Sequence, residues 1–447
     1  MFSISARKFF RRDANILRRL KARRQTQRKR WATRVRFAKG DRDLEHLDTF
    51  HRAIRPYLCL AQVFGLMPLA NIRSSDPQVL QFRVCSAGFF CTALFLLLGS
   101  FKTWHVAMSL FEVGFTAKNM VVLIFFTSNM ITCLNFVSFA RRWTRIIVPW
   151  TCLDIMMLFP PYVQSKYTLR YKLRILGFCL GCLALVEHCL FYASRYYNYR
   201  MHILHCRPIG TQASFDSFMH TEFGDIFGVV HFKIFYVLFT LIFTGCFNFI
   251  WNFMDLFIMM ISLGLAQRFQ QFGARVSALM GRYVPDALWS DIRQDHIRLC
   301  ELIELVDNNL ANIILVSCLN NMYFICNQLL SIFTKLRYPI NYIYFWYSLL
   351  FLLGRTTSVF LCASRIHDAS LLPLQAVHMV PSEYWTEEVQ RFMQQLSSEF
   401  VGLSGHRLFY LTRRSFFGLM ATLITYEFML LQLDAKNRKM ALPDLCA

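Results

Sequence analysis

Apolar residues along this chain come in long runs that charges interrupt rarely. Residues 84–101 carry no charge between Arg83 and Lys102, and residues 119–140 carry none between Lys118 and Arg141. Residues 175–194 contain one charge, Glu187; residues 234–254 continue past Asp255 to about Gln267. Residues 308–334 are uncharged, 338–354 continue past Arg355 to Ser364, and 415–433 is broken only by Glu427. A bilayer core needs roughly 20 apolar residues of helix to cross it, so these seven runs predict seven membrane-spanning helices in an all-α fold. Residues 146–165 (IIVPWTCLDIMMLFPPYVQS) are interrupted by Pro149, Asp154, Pro160 and Pro161. Internal proline removes helix hydrogen bonds, which predicts a cytoplasmic or interfacial connector there.

Two stretches extend the helical pattern beyond a membrane. A continuous helix over about 226–267 would run roughly 60 Å, twice the hydrocarbon thickness, so the fourth and fifth helices should project into the cytoplasm. Ahead of the fifth span, Ile292, Leu299, Val306 and Ile313 recur every seven residues, flanked by Ile303 and Leu310, with acids and bases between them. That is an amphipathic helix with an apolar seam, covered either within one chain or by a second subunit. Residues 383–407 form another amphipathic segment.

Charge then fixes an orientation. Of the 447 residues 55% are apolar and only 17% charged, with 49 Lys and Arg against 27 Asp and Glu, a net +22. Residues 1–55 alone hold 18 bases and 5 acids. Arg141, Arg142, Arg145, Lys166, Arg170, Lys172 and Arg174 face one acid, Asp154, in the second connection. The positive-inside rule places both regions in the cytoplasm, near anionic lipid, which argues against a nucleic-acid domain. The start of the chain lacks the apolar core of a cleavable signal peptide. The expected organisation is a basic cytoplasmic arm over 1–50, a seven-helix domain over 51–433 with cytoplasmic parts at about 265–307 and 365–410, a last helix at about 415–433, and an extracellular tail over 434–447. Such an orientation is the reverse of that of a G-protein-coupled receptor.

The 15 cysteines sit mostly in apolar runs, where they behave as small hydrophobes. Cys179 and Cys182 lack a second pair at zinc-site spacing, so no metal is expected. Cys206 and Cys446 lie in polar surroundings, where a disulfide is conceivable. No nucleotide loop, nucleophile elbow or zinc-protease motif occurs, and neither an enzyme nor a cofactor is expected.

Three stretches and the last helix carry a resemblance. They read HRAIRPYLCLAQVFGLMPLANIRSSDP at 51–77, WNFMDLFIMMISLGLAQRF at 251–269, INYIYFWYSLLFLLGRT at 340–356 and TYEFMLLQL at 425–433. The last is similar to the signature of insect gustatory receptors, a Thr-Tyr followed by five mostly apolar residues and Gln-Phe. Glu427 takes one apolar place, and Leu433 replaces the Phe. The Glu after Thr-Tyr also resembles the sugar-sensing clade. The resemblance implies a ligand-gated, non-selective cation channel in the plasma membrane of gustatory receptor neurons. It further implies a tetramer, of like subunits or with related receptors, with the pore lined by the outer part of the seventh helix, the cytoplasmic extensions packed as an anchor, and a sugar pocket in the outer half of the first six helices.

Read from the residues, Thr425, Met429 and Gln432 share one helical face, and with Leu433 they form the expected pore stripe, polar groups alternating with an apolar gate. Interhelical hydrogen bonding is the alternative use of the same polar positions. Glu427 could serve function or pair with a neighbouring helix. A sugar needs aromatic platforms with directed donors and acceptors. At the outer ends of the helices lie Glu187, His188 and Tyr192; Asp225, His231 and Tyr236; Asn320, Asn321, Tyr323 and Asn327; and Asn341, Tyr342, Tyr344, Trp346 and Tyr347. Glu187, His188, Tyr192, His231, Tyr236, Asn320, Tyr323, Asn327, Tyr342 and Trp346 are the expected sugar contacts. An interfacial aromatic belt is the alternative for residues 342–347. A G-protein-coupled receptor and a sugar transporter are the rival classes; the first lacks its Asp-Arg-Tyr and Asn-Pro-x-x-Tyr motifs here, the second its paired repeats.

Overall fold

The computed structural model describes residues 47–114, 117–206, 214–224, 233–332, 335–398 and 400–434, the last few by backbone alone. Eleven α-helices and one small hairpin occur among them. They are α1 (Phe50–Val63), α2 (Ala87–Val113), α3 (Ala117–Met157), α4 (Leu169–Cys206), α5 (Phe215–Glu222), α6 (Ile234–Ser277), α7 (Asp286–Leu330), α8 (Pro339–Ser370), α9 (Leu372–His378), α10 (Glu387–Ser398) and α11 (Arg413–Asp434). The hairpin pairs β1 (Ser404–Gly405) with β2 (Phe409–Tyr410) in antiparallel register, Ser404 opposite Tyr410.

Six helices are long and apolar enough to cross a membrane: α2, α3, α4, α6, α7 and α8, the last with its continuation to His378. They contain six of the seven expected runs. The seventh run is helical too, as α11, though it is not among the six spans found over the described residues.

One expectation is corrected. Residues 146–157 continue α3 instead of forming a connector, and the chain turns only at 158–165. Pro149 removes one hydrogen bond, but Trp143, Ile146, Ile147, Trp150 and Leu153 are all buried along that stretch. Burying five large side chains at roughly 1.5–3 kcal/mol each outweighs a proline in the helix interior. Trp150 stacks on Phe50 with ring centroids 3.9 Å apart. Gly264 makes that stack possible, since a Cβ there would sit 2.6 Å from the Phe50 ring and 2.9 Å from Trp150.

Central in the bundle is α6, at 44 residues about 66 Å long. Between Phe253 and Phe272 nearly every side chain is buried, the mark of a helix packed on all sides. The 45-residue α7 buries Ile292, Leu299, Ile303, Val306, Leu310 and Ile313, so the heptad seam is covered within one chain. Part of its cover is α10, whose Phe392 ring approaches Trp289 and His296.

Polar clamps fix the lower half. Arg268 is fully buried, its Nε 2.7 Å from the Asp154 carboxylate, while Asp154 also accepts the Phe50 N–H at 2.6 Å. The Asp307 carboxylate accepts both the N–H (2.6 Å) and the hydroxyl (2.8 Å) of Ser404, tying the hairpin before α11 to α7. His406 and Arg407 form the hairpin turn with φ of 55° and 60°, a left-handed conformation most side chains avoid.

Candidate functional site

Polar residues at helical spacing on four helices meet inside the apolar bundle. On α8, Asn341, Ser348 and Arg355 recur every seven residues, with Tyr344 beside them, and this face turns inward. On α6 the matching positions are Thr244, Asn248, Asn252 and Asp255, and on α7 they are Ser317, Asn321 and Gln328. From α4 come Glu187, His188 and Ser194.

The deepest part is an ion pair. Arg355 Nε lies 2.8 Å from Asp255 Oδ2, and both side chains are at most 2% exposed. Asp255 also accepts from the Ser317 hydroxyl (2.5 Å) and from Asn321 Nδ2 (2.9 Å). Arg355 donates to Asn321 Oδ1 at 3.1 Å and to Asn252 Oδ1, and its guanidinium lies over the Trp251 ring, 4.6 Å from the centroid. Two charges buried this far from water persist only when paired with each other and with polar neighbours.

From there a ladder of hydrogen bonds continues to α4. Asn252 Nδ2 donates to Asn248 Oδ1 at 2.6 Å, and Asn248 Nδ2 meets His188 Nδ1 at 2.8 Å. Glu187 is buried and accepts from the Ser348 hydroxyl at 3.2 Å; Ser348 in turn accepts from Gln328 Nε2 at 3.1 Å. One turn on, the Tyr192 and Thr244 hydroxyls are 2.9 Å apart. Asn341 bridges Ser194 (2.8 Å) and Asn198 (3.0 Å).

Two acceptors on α7, Asn320 Oδ1 and Gln328 Oε1, are buried without a hydrogen-bond partner among the described residues. Such atoms favour a donor such as a hydroxyl, since a buried acceptor left unpaired costs about 1–3 kcal/mol. A small cavity of about 10 Å³, room for about one water, is bounded by Ser317, Asn321, Thr356 and Leu419, and so lies between the network and α11.

The expected sugar contacts divide between this network and other places. Glu187, His188 and Tyr192 lie in it, and Asn320 is buried on α7 one turn from Ser317. Tyr236 packs, as Tyr192 also does, against a cluster of Tyr199, Ile203 and Phe218. The Tyr323 ring meets Phe324 edge-on at 5.3 Å, and the Asn327 carbonyl accepts from the Ser331 hydroxyl. Tyr342 and Trp346 are 42% and 47% exposed. At 100° per residue, Trp346 points about 200° away from both Tyr344 and Ser348, out of the bundle. The Tyr342 hydroxyl accepts from the Leu336 N–H at 3.1 Å. Asp225 and His231 lie outside the described residues.

Of the expected pore positions, Thr425 is exposed, its hydroxyl donating to the Ala421 carbonyl at 2.8 Å, and Met429 is 63% exposed. Gln432 and Leu433 lie on helical backbone, with their side chains outside the described residues, as is the side chain of Glu427. α11 docks on α7 and α8 through Leu423, which is buried with Phe324, Ile325 and Leu352. The opposite stripe of Gly418, Thr422, Thr425 and Met429 is uncovered.

Sequence reasoning missed Asn248, Asn252, Asp255, Ser317, Ser348 and Arg355. A signal was present: Asp255 and Arg355 are single opposite charges in two apolar runs, and unpaired charges there are costly enough to seek each other. Cys206 is disulfide-bonded, and the other described cysteines form no disulfide. No cluster of metal-ligating side chains occurs among the described residues.

Comparison with known proteins agrees with this architecture. An insect olfactory receptor of Machilis hrabei, solved in complex with eugenol, has a similar fold with a TM-score of 0.58 at 11% identity, over 85% of this chain and 97% of that one. The same receptor solved alone gives 0.57 at 12% identity, over 86% and 99%. The Drosophila melanogaster gustatory receptor for sugar taste 61a is 57% identical over 425 residues, covering 95% of this chain and 98% of the relative. Its relative for sugar taste 64a is 40% identical over 402 residues, covering 90% and 88%, and gustatory receptor 5a for trehalose is 30% identical over 393, covering 87% and 86%. The profile described as trehalose receptor matches residues 17–446. These are receptors, not enzymes, and the chain belongs to this trehalose receptor family of insect gustatory receptors.

Proposed function

We propose that the chain is a sugar-taste receptor acting as a ligand-gated, non-selective cation channel in the plasma membrane of gustatory receptor neurons. Carrying this reading is the buried polar ladder from Glu187 and His188 to Arg355 and Asp255, which gives hydroxyl-rich ligands directed partners inside an otherwise apolar bundle. Sugar engages its α4 end together with Asn320 and Gln328, and the cavity beside Leu419 relays the change to α11.

In this reading α11 is the seventh crossing, with the amino terminus and the basic 158–174 connection inside and the carboxyl terminus outside. The disulfide at Cys206 supports an outer location for the end of α4, because such bonds persist in oxidising compartments. The long lower parts of α6 and α7, with α9, α10 and the hairpin, form a cytoplasmic anchor over about 265–307 and 365–410. The uncovered stripe Gly418, Thr422, Thr425 and Met429 suits a helix that faces a pore shared by four subunits, alike or mixed with related receptors. Gln432 and Leu433 continue it toward the outer mouth, where a narrow apolar ring closes by dewetting.

The deciding experiment is reconstitution of the purified chain in a planar bilayer. Sugar should evoke a cation current without any added G protein. Uptake of labelled sugar with no current would make the chain a transporter, and a response that requires a G protein would make it a coupled receptor.

A further inference from the structure

Four arginines gather where α1 meets the start of α4. Arg52 and Arg55 lie one turn apart on α1, Arg170 and Arg174 one turn apart on α4, and Arg52, Arg55 and Arg174 all act electrostatically on Arg170. The two helices touch closely. The Tyr57 hydroxyl donates to the Leu173 carbonyl at 2.9 Å, and a Cβ on Gly177 would lie 2.3 Å from the Tyr57 ring. Like charges held together by packing repel, so the fold maintains this cluster against its own electrostatics.

Among the described residues little offsets it. Asp48 is the one acid acting on Arg170, and its carboxylate is already engaged with the N–H groups of Leu169 (2.7 Å) and Arg170 (3.2 Å) at the start of α4. Arg52 and Arg55 each direct one donor at a backbone carbonyl, of Leu47 (3.5 Å) and Arg73 (2.8 Å). The Arg170 Nε is buried with no hydrogen-bond partner among the described residues. A guanidinium has five donors in a planar fork suited to phosphate, so most of this capacity is unused among the described residues and can serve a ligand.

The level of the cluster along the helices is also informative. Immediately after Arg174, α4 exposes Ile175 (46%) and Phe178 (73%); after Arg55, α1 exposes Leu60 (45%) and Val63 (75%). Both helices thus change from arginine to exposed apolar side chains at one height. Below it, Tyr167 and Tyr171 stack at 5.6 Å, the amphipathic rings that favour the boundary of a bilayer.

We propose that Arg52, Arg55, Arg170 and Arg174 form a binding site for the phosphomonoester headgroup of an anionic lipid of the phosphoinositide class. Among the described residues, four cations against one engaged carboxylate match a headgroup of several negative charges better than one of net −1. That the headgroup belongs to the inner leaflet rests on the orientation proposed above. Basic pockets between membrane helices on the cytoplasmic side take such headgroups, at about a fivefold gain in affinity per arginine near the surface.

The test is native mass spectrometry of the full chain released from nanodiscs of phosphatidylcholine doped with phosphatidylinositol bisphosphate, or instead with phosphatidylserine. One bisphosphate lipid should be retained per chain, and phosphatidylserine should not. Arg170→Gln/Arg174→Gln should weaken retention roughly 30-fold while thermal stability in pure phosphatidylcholine holds, and Arg52→Gln/Arg55→Gln should do the same. Soluble inositol trisphosphate or inorganic phosphate displacing the lipid at equal concentration would make the site one for a free phosphate and overturn the lipid assignment. Wild-type retention by both variants, or its loss on deleting residues 2–40 with the arginines intact, would also overturn it. Because nanodisc leaflets are alike and no current is read, failure of the channel or orientation reading leaves this outcome unaffected.

Discussion

Removing one member of the Asp255–Arg355 pair should damage the protein more than removing both. Each side chain is at most 2% exposed, and its partners (Ser317, Asn321, Asn252 and the Trp251 face) are arranged around the charge. Arg355→Met leaves Asp255 charged with two neutral donors; Asp255→Leu leaves the guanidinium without its contacting carboxylate and with Glu187 as its remaining counter-charge. Breaking a buried pair in this way costs about 3–5 kcal/mol, whereas replacing both charges with apolar groups is often neutral or better. Unfolding entropy of about 2.1 cal/mol/K per residue gives roughly 0.9 kcal/mol/K for the whole chain. Each single variant should therefore lower the melting temperature by at least about 3 °C, and more if the membrane helices stay partly formed on unfolding. Asp255→Leu/Arg355→Met should recover most of that loss.

Tryptophan fluorescence during heating of the detergent-purified chain reads the melting temperature, and size-exclusion profiles report assembly. The coupling energy comes from the double-mutant cycle over the wild type, the two single variants and the double variant. Additive losses, or single variants that melt like the wild type, would refute the view that the pair is a mutually dependent charge couple. A double variant that folds yet no longer responds to sugar would separate the stability of the pair from its use in signalling.

Three further outcomes are expected. Glu187→Gln and Gln328→Ala should each raise the sugar concentration for half-activation roughly tenfold at unchanged surface expression, through loss of a directed hydrogen bond worth about 1–3 kcal/mol; wild-type sensitivity in both would place the pocket elsewhere. A tag after Ala447 should be reached by antibody on intact cells and a tag before Ser3 only after permeabilisation, and the reverse pattern would remove the channel orientation. In cysteine scanning of α11 with an external thiol reagent, block should occur at 425, 429 and 432 and be absent at Leu423, which is buried against Phe324 and Leu352; uniform reactivity would assign the pore to another helix.

How far the sequence foretold this arrangement depends on which physical signal each feature left. Apolar runs are long-range and redundant, so six of the seven helices can be read from charge positions alone, and the heptad from Ile292 to Ile313 announced a helix that outruns the membrane. Pro149 misled because its local cost is visible in sequence, while the compensating burial of Trp143, Ile147 and Trp150 depends on α1 and α6, which only folding brings near. The site behaves in the same way. Glu187 and His188 stood out as rare polar groups, yet their partners Asn248 and Ser348 are common residues made special only by register, four and seven residues from Asn252 and Arg355. Trp346 shows the converse: conspicuous by type, it sits two residues from Tyr344, a step that turns any helical side chain away from its neighbour's face. The pairing of Asp255 with Arg355 was the recoverable part. An apolar helix carries a full charge only where another element neutralises it, so lone charges of opposite sign in two different spans constrain the register of α6 against α8 before any coordinate is known.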